Sequence, residues 1–398
     1  MERVWAGVDI GKQHHHAVVI DTDGNRLLSR RVRNDEQALL ELVGQVAGLA
    51  DRVDWAVDIV TGESALLLAL LTAHDQTVFY ITGAQVNRAA DGYRGAGKTD
   101  AKDAAIIADQ VRIRRDLAPM RIDDELIVEL RMLIARRRDL AGDRTRLVNR
   151  LHQQLLSLSP ALERVLDLTN QGPLVLLTGY QIPETLRQAG VGEVEAWLRS
   201  QKVKGAAALA MKAVTAASSQ HTTLPGQRLA AELIAEMAKG VIALDEQLKH
   251  VGKLIEGRFH RHRSAEVLLS MPGIGPVLGA EFLAATGGDM NAFASCDHMA
   301  GYGGVAPVPR DSGRIAGNLH RPRRYHRGLQ HVFYTSALIS VQRHEPSRNF
   351  YDRKRSEGKR HNQAVLALAR RRVNVLWAML RDNRCYTAVP PTPAATAA

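Results

Sequence analysis

Val4-Trp5-Ala6-Gly7-Val8-Asp9-Ile10-Gly11 is an apolar run broken by one carboxylate and closed by glycine. A short apolar run bounded by turn residues reads as a buried strand. Working outward, the pattern predicts strands over 4–10, 16–21, 26–33, 54–60 and 77–82, with helices over 35–50, 63–74 and 100–115. Asp21-Thr22-Asp23-Gly24-Asn25 supplies a hairpin turn between the second and third strands.

Three hairpin-joined strands followed by strands alternating with helices predict an α/β, ribonuclease-H-like sheet. In that fold acids sit at strand centres and on a late helix, where they converge. Trp55-Ala56-Val57-Asp58-Ile59-Val60-Thr61-Gly62 repeats the first strand's design with Asp58 in its middle, and Glu63 follows as an alternative acid. Gly97-Lys98-Thr99-Asp100-Ala101-Lys102-Asp103-Ala104-Ala105 places Asp100 and Asp103 at i and i+3, on one face of a helix start. Four carboxylates held together are costly unless a cation neutralises them. Oxygen donors favour Mg²⁺ or Mn²⁺, and a metal pair about 3.5–4 Å apart suits phosphodiester chemistry. The plainer reading makes Asp100 a helix cap and Asp103 a first-turn acid favoured by the macrodipole. Lys98 and Lys102 either solvate the helix start or touch a phosphate. His14-His15-His16 reads as a polar strand entry, because alternation sends His15 away from the other two.

The chain has 398 residues, enough for two or three domains, and 45% hydrophobic content, enough to bury real cores. No run approaches the roughly 18 apolar residues of a membrane span. The N-terminus has no signal-peptide apolar stretch, so a cytosolic protein without membrane contact is expected. Cys296 and Cys385 are too few for a disulfide framework or a cysteine zinc site and are expected as small buried hydrophobes. The net charge is +11. Between Arg310 and Arg384 stand 18 Lys and Arg against 5 Asp and Glu, a net +13, so that segment outweighs the whole chain's excess. Its cations are nearly all arginines, whose planar fork suits phosphate oxygens. A solvated basic surface is the plainer alternative.

From Asp123 to Leu158 the leucines 126, 130, 133, 140, 147, 151 and 158 step at heptad-like intervals, as in a coiled-coil arm. Residues 160–225 read as short helices, and Gln227–Phe259 as a long helix returning antiparallel to the first. Leu269-Ser270-Met271-Pro272-Gly273-Ile274-Gly275-Pro276 resembles the turn of a helix-hairpin-helix, where glycine amides approach a phosphate. Arg310-Asp311-Ser312-Gly313-Arg314 leaves room around Ser312 for a bulky group. Further helices are predicted over 322–343 and 361–382, and the proline-rich tail has little to bury.

Both ends of the chain resemble the insertion-sequence type 110 transposases. The N-terminal likeness lies in Val8-Asp9-Ile10-Gly11-Lys12, Asp58 before Thr61-Gly62, and Lys98-Thr99-Asp100-Ala101-Lys102-Asp103-Ala104. The C-terminal likeness lies in Met271–Pro276, Phe293, Gly301-Tyr302-Gly303-Gly304-Val305-Ala306-Pro307, Ser312-Gly313 and Gly317-Asn318. The resemblance implies a RuvC-like DEDD domain over 1–118 and an α-helical coiled-coil connector over 119–262. It further implies a mainly α transposase domain over 263–386, with a disordered tail over 387–398. It implies a recombinase that excises and inserts a mobile element, guided to donor and target DNA by a structured bridge RNA, in the nucleoid-associated bacterial cytoplasm. Carried over, the acids fall on Asp9, Asp58, Asp100 and Asp103 with Mg²⁺ or Mn²⁺, and the nucleophilic serine on Ser312. The second acid of the family is typically glutamate, so Asp58 is one methylene short and Glu63 stays open.

Nucleic-acid contacts are expected from Lys98, Lys102, Arg310, Arg314, Arg321, Arg323, Arg324, Arg327, Lys359 and Arg360. Synapsis of two DNAs implies a homodimer or tetramer. Two other classes compete. A non-catalytic nucleic-acid scaffold explains the charge but not four acids in a basic protein. An actin-like sugar kinase shares Gly7–Gly11 but needs a second Asp-Gly phosphate loop, where this chain has Lys-Thr-Asp-Ala-Lys-Asp.

Overall fold

The structure, a computed structural model, describes residues 1–398 except 61, 94–96, 98, 116, 118, 121–124, 291–292, 310, 314–316 and 389–398. It divides into two compact units, Met1–Ile122 and Asp123–Ala398. Among the described residues, no helix is long and apolar enough to cross a membrane.

The first unit is built on strands β1 (Val4–Asp9), β2 (His14–Ile20), β3 (Arg26–Arg33), β4 (Val53–Val57) and β5 (Thr77–Tyr80). They are ordered β3-β2-β1-β4-β5, antiparallel through β1 and parallel from β1 to β5. That order is the ribonuclease-H-like sheet the sequence pattern predicts. Helices α1 (Glu36–Ala47) and α2 (Ala65–Ala73) cover one face, packing on Val4, Ala6 and Val8. Helices α3 (Gly83–Ala90) and α4 (Asp100–Ile113) cover the other, with Trp5, Val18, Ile20 and Ala56 beneath them. The period of two thus splits β1 cleanly, and Trp5, Gly7 and Asp9 share the α4 face.

Gly7 fixes how closely α4 lies on the sheet. A Cβ at this position would stand 2.2 Å from the Ala104 carbonyl oxygen and 2.4 Å from the Ala108 amide nitrogen. At the far end of α4, Arg112 Nη1 donates to the Thr22 carbonyl at 2.9 Å, beside the β2–β3 turn. The helix therefore runs antiparallel to β1, with its first turn over the strand's C-terminal end.

The second unit is helical. The long helices α5 (Glu125–Leu158) and, beyond α6 (Pro160–Val165), α7 (Gln171–Gly179), α8 (Pro183–Ser200) and α9 (Ala206–Ala217), α10 (Gln227–Phe259) form an antiparallel pair. Leu126, Ile134 and Leu140 share a core with Val251, Ile255 and Phe259. Val148, Leu151 and Leu155 share another with Ala231, Ile234 and Val241. Midway, the Arg144–Asp245 ion pair and Leu147 packed under Gly240 fix the register.

The first of these cores also holds α11 (Ala265–Ser270), α12 (Pro276–Thr286), α13 (Cys296–Tyr302), α14 (Arg327–Arg343), α15 (Glu345–Ser356) and α16 (His361–Arg381). A two-stranded hairpin of β6 (Val308–Pro309) and β7 (Leu319–His320) lies between α13 and α14. In the α11–α12 turn Gly273 has a φ of +83° and meets the Ser336 carbonyl of α14, where a Cβ would come to 2.5 Å. Its close approach is thus to the protein's own backbone, while Gly275, the N-cap of α12, opens onto free space.

One sequence expectation needs correction, and a helix escaped the sequence pattern. Cys296, at the start of α13, is half-buried, and Cys385, in the chain after α16, is exposed. The charged segment before residue 361 holds a helix of its own, α15, started by Pro346 in its first turn.

Gly7→Ala is expected to destabilise the first unit by about 1–3 kcal/mol, the cost of overpacking a close backbone contact. A lowered denaturant midpoint measures it. Leu151→Ala, fully buried in the helix pair, is expected to cost about 2–5 kcal/mol by the same assay.

Candidate active site

Asp9 ends β1, and Val8 pairs with Val57, so Asp58 lies next to it one residue beyond the end of β4. Neither acid occupies a strand centre, as the sequence pattern had suggested. The parallel strands stop at the same level, and this frees both carboxylates at the sheet's C-terminal edge. The Ile10 amide donates to Asp58 Oδ1 at 3.3 Å, tying the two strand ends together.

Thr99 is the N-cap of α4, its hydroxyl accepting from the Lys102 amide at 3.2 Å. Asp100 is therefore not the cap. It opens the first turn, exposed, with Asp103 half-buried one turn on. Asp103 repels charge on Asp58, and Asp100 favours charge on His16, the residue directly across from Asp9 on β2. Strand pairing sets Asp9 beside Asp58 on the α4 face, and the first turn of α4 lies close enough for Asp103 to act on Asp58 and Asp100 on His16.

Burial, opposed by the Ile10 amide and reinforced by Asp103, holds the Asp58 carboxyl above its ordinary range. Tyr80, paired with Val57 at the end of β5, is raised by burial and then by the Asp58 charge. His16 is lowered by burial and donates to or accepts from Ser29 Oγ at 3.0 Å. Sequence reasoning treats this histidine only as strand entry. Its register opposite Asp9 is the signal that would have found it. His15 is buried on the other face, as alternation requires. Glu63 lies in a turn of 3₁₀ helix, Gly62–Ser64, and accepts from Asn34 through its backbone carbonyl at 3.0 Å.

A third buried acid, Asp54, sits two residues before Ala56 and is neutralised locally by Arg3, whose Nε donates at 2.7 Å, and by Arg52 at 3.2 Å. Among the described residues, Asp58 has no such cationic partner. Among the described residues, no three His, Cys, Asp or Glu side chains draw into a closed metal-binding group. The acids nonetheless fit a hard divalent ion by their all-oxygen chemistry, and Asp58 buried beside Asp103 carries charge that a cation would offset.

Ser312 is exposed in the loop between β6 and β7, which Asp311 tightens by accepting from the Asn318 amide at 2.9 Å. Gly313 has a φ of +56°, and among the described residues nothing stands within 4 Å of where a Cβ would be. At the base of this loop Tyr302 stacks on His326, with ring centroids 5.4 Å apart. Arg321, Arg323, Arg324 and Arg327 are exposed between the hairpin and α14, as are Lys359 and Arg360 before α16. Lys102 is half-buried on α4, while Lys98, Arg310 and Arg314 lie outside the described residues.

Known proteins set the class. A family model described as Transposase matches residues 6–160, and one described as Transposase IS116/IS110/IS902 family matches 265–352. The chain is 57% identical over 395 residues to the insertion element IS900 uncharacterized 42 kDa protein of Mycobacterium paratuberculosis, covering 98% of this chain and 99% of that one. It is 50% identical over 391 residues to the insertion element IS116 uncharacterized 44.8 kDa protein of Streptomyces clavuligerus, covering 98% of each. A structure of T. thermophilus RuvC in complex with a Holliday junction substrate overlaps 30% of this chain and 100% of its own, at 17% identity and a TM-score of 0.23. The two family models and the two insertion-element relatives define a transposase. The chain belongs to the IS110 family of insertion-sequence transposases.

Because burial raises Asp58 in the folded state, its stabilising contribution is complete below the unfolded value of about 3.9 and is lost as pH rises through the folded value. Asp58→Asn should therefore raise the melting temperature of the metal-free protein at pH 7, and this gain should fade as pH approaches 4. A pH series of thermal melts checks it.

Proposed function

We propose that the protein is an RNA-guided DNA recombinase that cuts and rejoins strands with its four acids and Ser312. The observation that carries the reading is the gathering of Asp9, Asp58, Asp100 and Asp103 on one face and edge of the sheet, in a chain of this family. These acids are the donors that Mg²⁺ or Mn²⁺ would use. When bound, the ion would neutralise charge on the scissile phosphate as a Lewis acid. Asp58 is the second acid of the set, since the Ile10 amide orients it toward β1 and Asp103 faces it.

Ser312 is the nucleophile. Its Oγ forms a bond to phosphorus, the bond to one strand's oxygen breaks, and that oxygen leaves with the proton the hydroxyl gives up. A phosphoserine link keeps the bond's energy, so another strand end reverses the step without ATP. The exposed loop and the open space at Gly313 support access by a duplex. Arg321, Arg323, Arg324 and Arg327 flank that loop and neutralise the phosphorane, whereas Lys359 and Arg360 hold backbone phosphates. Residues 1–118 carry the acids, 119–262 connect, and 263–386 carry the serine. Assembly of two or four chains through the α5–α10 pair brings two DNAs together.

Base pairing by a structured guide RNA supplies sequence, and the arginines read backbone and shape. Binding should then weaken steeply with salt through counterion release. The test begins with sequencing of the RNA that copurifies, followed by a plasmid recombination assay with that RNA. Asp9→Asn should lower recombination by about 10²-fold or more while nucleic-acid binding persists. Ser312→Ala should form no covalent protein–DNA adduct, and an adduct in that variant would remove the serine from the mechanism. Glu63→Gln should retain activity where Asp58→Asn does not.

A further inference from the structure

A large cavity that the proposed strand chemistry leaves unused lies in the second unit. It has a volume of ≈ 1380 Å³ and is bounded by α15, α16 and the chain after α16. A small-molecule pocket is about 300–1,000 Å³, so this one suits a segment of chain better than a metabolite. Its floor is apolar, with Met271, Leu368 and Met379, and Val375 stays exposed on its wall.

Its charge is one-sided. Arg353, Arg371, Arg372 and Arg384 line it against one acid, Asp382, which is already paired to Arg381. Half-buried Phe350 gathers three cations: Arg353 Cζ at 5.2 Å from the ring centroid, Arg371 Cζ at 5.5 Å and Lys354 Nζ at 5.7 Å. Glu357 pairs with Lys354 at 2.6 Å and with Arg353 at 3.8 Å, at the outer end of α15.

Deeper in, Arg372 is only 8% exposed and has no carboxylate partner among the described residues. Its Nη2 donates to the Pro272 carbonyl and to Ser336 Oγ at 2.7 Å, while its buried Nε has no partner. Burial pushes the guanidinium down to about 10, still charged at neutral pH. A cation held this way with neutral partners lacks a counter-ion.

The occupant must therefore be a chain that offers both anions and flat apolar faces. A duplex hides its base faces, and an acidic peptide has no regular array of them. We propose that this groove seats an unpaired stretch of nucleic acid, with phosphates on Arg371, Arg372 and Arg384 and a base against the Phe350 tier. Aromatic and arginine platforms in a basic groove are how single strands are held without sequence preference. The seat stands on the groove alone and is independent of strand cutting by the acids.

Fluorescence anisotropy on the full chain tests it, with labelled oligouridine, oligothymidine and a DNA duplex of equal length. Phe350→Leu and Arg371→Ala, both on partly open side chains, should weaken single-strand binding about tenfold or more and leave duplex binding and melting temperature unchanged. The stronger of the two single strands identifies RNA or DNA as the source. Thiouridine crosslinks should map to α15 or α16. Unchanged single-strand binding, equal loss for the duplex, or crosslinks elsewhere would overturn the seat. So would single-strand binding that appears only after residues 389–398 are removed, since the protein's own tail would then be the occupant.

Discussion

The packing of α4 on β1 is the contact on which the catalytic reading depends. A helix normally stands off a sheet by the height of its side chains. Here glycine at position 7 and alanines at 104 and 108 let backbone meet backbone. The helix is thereby held antiparallel to the strand, and its first turn ends over the same edge where β1 and β4 stop. Thr99 completes the arrangement by capping the helix, which leaves Asp100 and Asp103 available as carboxylates instead of spending one on the backbone.

Electrostatics divides the acids of this unit into two kinds. Asp54 is fully buried but sits between Arg3 and Arg52, so its charge is settled within the fold. Asp58 is less buried, accepts from the Ile10 amide and faces Asp103. The fold thus satisfies one strand acid within itself and leaves its neighbour four residues on facing a like charge. The second unit shows the mirror image, with Arg372 buried among neutral groups. At both positions burial opposes the charged form.

Much of this was legible in the chain. The hairpin-joined strands, the acids on their runs and the returning helix over 227–259 all follow from local periodicity. Helix α3 does not, because Gly83-Ala84-Gln85-Val86-Asn87-Arg88 has little apolar rhythm. Its real signal is the Thr82–Gln85 capping box. Helix α15 is charged along most of its length, and its inner face of Ser347, Phe350, Tyr351 and Lys354 carries too few apolar residues for periodicity to find. Cys296 and Cys385 defeat a residue-type average because burial is a property of position.

The sequence by itself determined which residues carry charge and which segments form strands and helices, since both are set by neighbours within a few residues. It placed the strand acids within their strands, whereas the structure sets Asp9 at the end of β1 and Asp58 just past β4. Only the tertiary structure decided that Asp9 and Asp58 stop level on adjacent parallel strands, that His16 stands across from Asp9, and that Arg372 is buried beside an open groove. Those facts depend on strand order and on helices packed across long separations in the chain. Such pairings are fixed by the shape of the filled core, which no local pattern encodes.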